Sequence, residues 1–204
     1  MHMKSHAVAM AIALSKMLPR WDIYTGLYVP KRLYSREHIV PKSVLQKAGL
    51  NHAMLDLNNL YCVDTAVNCM RSNYKYVDGD PAHMREIVED ADAKLVMMSS
   101  GMLAEDTHSN MGTVICTRTS GSVITVSVCF EGTIMTVDNS KRTVVPPVIA
   151  RGAIARSVYK MYDRYDCLFD YRHLILDEDV MTRWLKLPRY NAEIKHDEFL
   201  RSLK

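Results

Sequence analysis

From Thr113 to Val137 the chain alternates through a run rich in Val, Ile and Thr, set between segments whose apolar residues recur at helical spacing. Alternation of this kind reads as strands with one face buried. Ser120-Gly121-Ser122 and Glu131-Gly132 supply the turns of a small antiparallel meander, placed over about residues 113–138. Helical patterns are expected from about His6 to Leu18, from about Arg151 to Tyr165 after the Pro146-Pro147 break, from Asp177 to Leu187 and from Asn191 to Leu203. Strands in one stretch and helices in others predict an α+β fold. With 204 residues and 48% hydrophobic content the chain can bury a substantial core without disulfides, so one domain over residues 1–204 is expected.

The cysteines, Cys62, Cys69, Cys116, Cys129 and Cys167, are odd in number and show no C-x-x-C pairing. That speaks against a disulfide framework and a zinc site, and for an intracellular, reducing compartment rather than a secreted or periplasmic one. The apolar run Ala7–Leu14 follows Lys4 and superficially looks like a signal peptide. It lacks a clear small-residue cleavage site, is far shorter than a bilayer span, and reads instead as an alanine-rich core helix; no membrane partner is expected.

The catalytic candidates lie in the first third. A strand is expected from Asp22 to Val29, and another ends at the pair Glu37-His38. Pro41 then opens a short helix that Gly49 is suited to end. A second extended segment, Leu57–Cys62, leads through Asp64 as N-cap into a helix carrying Asn68 and Arg71, which share a face at i and i+3. Cutting a phosphodiester needs a base to deprotonate water and a divalent cation to neutralise charge on the phosphate. His38 is the candidate base, with Glu37 and Asn68 as candidate ligands of one hard cation, Mg²⁺ or Mn²⁺. Asn59 is a candidate for orienting the imidazole, with a plain Asx turn as the other reading.

The ordered motifs Arg36-Glu37-His38-Ile39-Val40-Pro41, Asp56-Leu57-Asn58-Asn59-Leu60 and Val67-Asn68 with Arg71-Ser72-Asn73 resemble the ββα-metal (His-Me finger) core of the bacterial endonuclease I family. A second block, Arg151-Gly152-Ala153-Ile154-Ala155-Arg156 continuing to Met161-Tyr162 and Arg164-Tyr165, comes next in the family's order. The resemblance covers about residues 21–73 and 146–198, with weaker support at Trp184 and Glu193-Ile194. It implies a ββα-metal core over about residues 22–75, surrounding helices including those at about 148–203, and a metal-dependent endonuclease acting on DNA, and on RNA as a second substrate, with little sequence specificity. The roles it implies for His38, Glu37 and Asn68 are those above. Family members also use an arginine after the histidine motif to stabilise the phosphate; no arginine occurs here between His38 and Arg71, leaving Lys42, Lys47 or Arg71 as the replacement. The Gly-Asn-x-Asn-Pro-Phe-like stretch usual near the family's C-terminus is not found before Lys204.

Net charge is +3 but segregated: eight Lys/Arg against two acids in residues 1–50, five against twelve in 51–140, thirteen against nine in 141–204. Such basic ends can gather phosphates by counterion release, while the acidic middle suits a regulatory or assembly surface, for a protein inhibitor or a second copy. On the Arg151 helix, Arg156, Lys160 and Arg164 fall near one face at spacings of four; Arg156 and Lys160, with Arg151, are phosphate-contact candidates, against the plain reading of a solvated face. A noncatalytic nucleic-acid-binding or structural protein that keeps a nuclease fold is the alternative to the enzyme.

Overall fold

The computed structural model describes residues 2–79, 96–97, 115–120, 123–128 and 134–204. Helix α1 (His2–Ser15) is followed by strand β1 (Tyr34–His38), helix α2 (Lys42–Lys47), two 3-10 turns (Asn51–Leu55 and Leu57–Asn59), strand β2 (Leu60–Asp64) and helix α3 (Thr65–Arg71). Six strands then build a second sheet: β3 (Lys75–Tyr76), β4 (Val96–Met97), β5 (Ile115–Ser120), β6 (Val123–Val128), β7 (Ile134–Asp138) and β8 (Thr143–Val145). Helices α4 (Val148–Arg164), α5 (Glu178–Trp184) and α6 (Asn191–Ser202) complete the chain. The architecture is α+β.

β1 and β2 pair antiparallel, Glu37 opposite Tyr61 and His38 opposite Leu60. Every residue of β2 is buried, which is why Leu60-Tyr61-Cys62-Val63 is a continuous apolar run rather than an alternating one. Asp64 ends the strand and caps α3, its carboxylate accepting from the Ala66 N–H at 2.7 Å. Pro41 precedes α2, where a missing N–H costs nothing, and Gly49 leaves it at φ +73°, a conformation glycine adopts freely.

The second sheet runs in the order β3-β8-β7-β6-β5-β4, with β3 parallel to β8 and the other neighbours antiparallel. The expected meander is present as β5, β6 and β7, and Ser120 pairs with Val123 across its first turn. The turn residues Gly121-Ser122 and Glu131-Gly132 lie outside the described residues. At the sheet's edge β3 brings Tyr76 into the core beside β1.

The core is one cluster in which Ile154, Val158 and Met161 of α4 meet residues of α2, β2 and α3 such as Leu45, Val63 and Val67. These three are the expected apolar stripe of α4; its fourth member, Tyr165, is half-buried.

Two expectations are corrected. Residues 22–29 form no strand: the Asp22 carboxylate accepts from the N–H groups of Tyr24 and Thr25, and Gly26 takes φ +71°, so the chain turns here with only isolated bridges at Trp21–Tyr28 and Asp22–Cys62. The α1 segment is a helix but not a core one. Met10 and Ile12 are exposed, and Ser15 is its one buried side chain among those described. Alanine confers helix propensity without an apolar stripe to bury, so periodicity never specified a core face. Among the described residues no helix is long and apolar enough to cross a membrane.

Candidate active site

The pleat of β1 sends Glu37 and His38 in different directions. Glu37 is 1% exposed; its Oε1 accepts from the Tyr24 hydroxyl at 2.9 Å and the Tyr76 hydroxyl at 3.1 Å, and forms an ion pair with Arg71, whose Nε lies 2.9 Å away. Burial raises the carboxyl's pKa, and Arg71 and the two hydroxyls pull it back down. The guanidinium in contact keeps its proton, so its charge favours the carboxylate form of Glu37 against the effect of burial. Among the described residues no donor reaches Oε2.

Asn68 projects from α3 toward the same strand. Its Nδ2 donates to Ser35 Oγ at 2.7 Å and to the Arg36 carbonyl at 3.2 Å, so its Oδ1 is the atom left without a partner among the described residues. Arg71, one turn on, faces β1 too, as the i, i+3 spacing requires.

His38 turns toward the Asn51–Leu55 segment, where its Nε2 lies 3.0 Å from the Met54 carbonyl. A carbonyl only accepts, so Nε2 carries the proton and Nδ1 keeps the basic lone pair. Burial first, then the positive charges of Lys42 and Arg36, push the imidazole pKa down to about 4, against the pull of the Met54 and Arg36 carbonyls. At neutral pH the ring is uncharged and able to take a proton.

Asn59, 0% exposed, fixes the backbone just beyond the histidine. Its Oδ1 accepts from the Val40 N–H at 2.7 Å and its Nδ2 donates to the Val40 carbonyl at 3.0 Å, clamping the chain two residues past His38. The segment bearing Asn59 and Met54 is itself anchored from the C-terminal helices. The His196 Nε2 lies 3.0 Å from the Leu57 carbonyl and 2.9 Å from that of Leu60, Ser157 donates to the Asn58 carbonyl, and Arg164 and Tyr165 hold Asp56.

The basic candidates divide. Arg71 is fully committed, with Nε on Tyr76, Nη1 on the Ser72 carbonyl and Nη2 on that of Ile39. Arg151 is buried against Asp78 at 3.0 Å with its guanidinium over Trp184, Arg156 is paired with Glu193, and Lys160 lies 3.5 Å from Asp197. Lys42 and Lys47 are exposed.

Sequence reasoning missed Tyr24, Tyr76, Arg36, His196 and the Met54 carbonyl. A main-chain oxygen leaves no trace in side-chain identity, and tyrosines beside a buried acid look like any core aromatics. Arg36 was the exception: two residues before His38, it shares its strand face by simple alternation.

Among the described residues no group of three or more His, Cys, Asp or Glu could hold a metal, so a soft or histidine-rich centre has no ligand set there. The donor atoms left open, a carboxylate and an amide oxygen, are hard and fit Mg²⁺ or Mn²⁺ completed by water and substrate oxygens.

No curated protein matches the chain. Residues 24–110 match the Endonuclease I family. The match takes in β1, α2, β2 and α3 with His38, Glu37, Asn59 and Asn68, and excludes the block at residues 146–198. The segment that builds the site is thus similar to the Endonuclease I family over residues 24–110.

Proposed function

We propose that the chain is a divalent-cation-dependent endonuclease that hydrolyses DNA, and RNA as a second substrate, with little sequence preference. The observation that supports this reading is the set of atoms without a hydrogen-bond partner among the described residues: Nδ1 of a neutral His38, Oδ1 of Asn68 and Oε2 of Glu37, each on a side chain whose other polar atoms are engaged. Glu37 and Asn68 would hold the cation, which supplies charge neutralisation on the scissile phosphate. His38 Nδ1 takes the proton of the attacking water while Met54 keeps the tautomer. Asn59 holds the chain beyond His38, and the ion pair with Arg71 keeps Glu37 deprotonated. The products would be a 5′-phosphate and a 3′-hydroxyl. Free thiols at Cys62, Cys69 and Cys167 suit the reducing compartment proposed for it.

The test is degradation of supercoiled DNA with Mg²⁺ or Mn²⁺ and with chelator, wild type beside His38→Ala. His38→Ala is expected to lose cleavage while its DNA affinity stays nearly intact, because the imidazole acts on water and contributes little to holding the backbone. A cutting His38→Ala protein sinks the mechanism. A wild type that binds DNA but never cuts it favours a noncatalytic nucleic-acid-binding role.

A further inference from the structure

The two basic ends of the sequence are not equivalent once folded. Of the thirteen Lys and Arg in residues 141–204, eight are paired with carboxylates: Lys141, Arg151, Arg156, Lys160, Arg164, Arg183, Arg189 and Lys195. Most of that charge therefore has a carboxylate of the same chain beside it, in several cases at the surface. In residues 9–50 the two acids, Asp22 and Glu37, are each 1% exposed, the first bonded by backbone N–H groups and the second by Arg71. Among the described residues no carboxylate pairs with Arg20, Lys31, Arg32, Arg36, Lys42 or Lys47, and Lys31, Arg32, Lys42 and Lys47 are exposed.

These free cations are strung along the element that carries the candidate base. Lys31 and Arg32 lie in the 3-10 turn that runs directly into β1. Arg36 is on the His38 face of β1, and its Nη1 donates to Ser15 Oγ at 2.7 Å, which steadies the guanidinium without neutralising it. Lys42 opens α2, four residues past His38, and Lys47 closes it. β1 itself is about 13 Å long at roughly 3.3 Å per residue, so the row reaches from the candidate base across several phosphates of a strand.

We propose that this N-terminal row, Lys31 and Arg32 through Arg36 to Lys42, is the surface that seats the phosphodiester backbone, with Arg36 and Lys42 bracketing the phosphate to be cut. It rests on the nuclease reading above and answers which cations replace the arginine absent between His38 and Arg71: Arg71 is locked on Glu37, whereas Arg36 and Lys42 keep their charge for a ligand. The paired cations of α4 take no part in it.

The test is equilibrium binding of the full chain to a short DNA duplex in chelator, as a function of salt, beside metal-dependent cleavage. Lys42→Gln, Lys31→Gln/Arg32→Gln and Arg36→Gln are compared with wild type and with Lys186→Gln/Arg201→Gln, which removes exposed charge from the C-terminal end. For each phosphate released by a substitution, affinity near 0.1 M salt is expected to fall roughly tenfold and the log K against log salt slope to flatten by about 0.9, for every sequence alike. Lys31, Arg32 and Lys42 are exposed, so their variants keep the question open to refutation if Arg36→Gln misfolds. Unchanged slopes in the exposed variants, or an equal change in the C-terminal control, overturn the proposal even where wild type cuts DNA. Flattened slopes in the exposed variants, beside a wild type that binds but does not cut, uphold the surface and remove the nuclease reading instead.

Discussion

The Arg71 side chain is 2% exposed and all three of its guanidinium nitrogens are bonded within the protein. Its partner Glu37 sits where water cannot screen it, and a buried charge stripped of its counter-ion is far costlier than a buried pair. Arg71→Met is therefore expected to lower unfolding stability by about 3 kcal/mol or more in urea titration. Glu37→Gln/Arg71→Met should recover part of that loss, because it removes the stranded charge as well. A single-variant loss below about 1 kcal/mol would show that the pair is solvated and weak, as surface pairs are. Arg36 and Lys42 carry the same positive charge as Arg71 and, among the described residues, no such carboxylate partner, so what separates a structural cation from a docking one here is the company each keeps. One-dimensional spacing put Arg71 and Lys42 on the same footing; only the positions of Tyr24, Tyr76 and Glu37 tell them apart.

At the level of elements, the segment from Asn51 to Asn59 acts as a template against which β1 is set. Asn59→Ala removes two buried bonds to Val40 and leaves that N–H and carbonyl unpaired, at a cost of about 1–3 kcal/mol. We expect a folded protein whose turnover falls with little change in DNA affinity; an unaltered rate constant at equal folded fraction would reduce Asn59 to a loop residue. Elements with a local signal were legible in advance. Pro41 and Gly49 bracket α2, Asp64 caps α3, and Pro147 precedes α4, each acting through its own backbone or the next few residues. Misread were the places where a local signal lost to another or had no tertiary support. Asp22 and Gly26 made a turn out of an apparent strand, and α1 had propensity without a face to bury. His38, Glu37 and Asn68 were legible as candidate residue types. Their orientation was not, because which oxygen stays open depends on tyrosines from two distant elements.

For the molecule as a whole, His196 binds the C-terminal helix to this template from the far side. It is stacked on Tyr61 at 4.1 Å, and burial pushes its pKa down to about 4. The unfolded ring titrates near 6.5, so between about pH 6.5 and 4 the unfolded chain binds the extra proton and stability falls as pH falls, by up to about 1.4 kcal/mol per pH unit for this group. Asp22, whose pKa burial raises to about 6, works the other way over part of that range, so the difference between two proteins is cleaner than either curve. The stability of wild type minus that of His196→Gln is expected to shrink steadily as pH is lowered through this window; a constant difference would mean that His196 keeps its ordinary pKa. The antiparallel register of β1 on β2 has a consequence for the life of the protein before it is folded. Sliding that pairing by one residue would turn His38 inward and bring Glu37 out, so a misaligned chain loses its buried ion pair and its proton acceptor in the same stroke. On the proposed reading, the parts of the site therefore come together only in chains whose two strands are paired in this register.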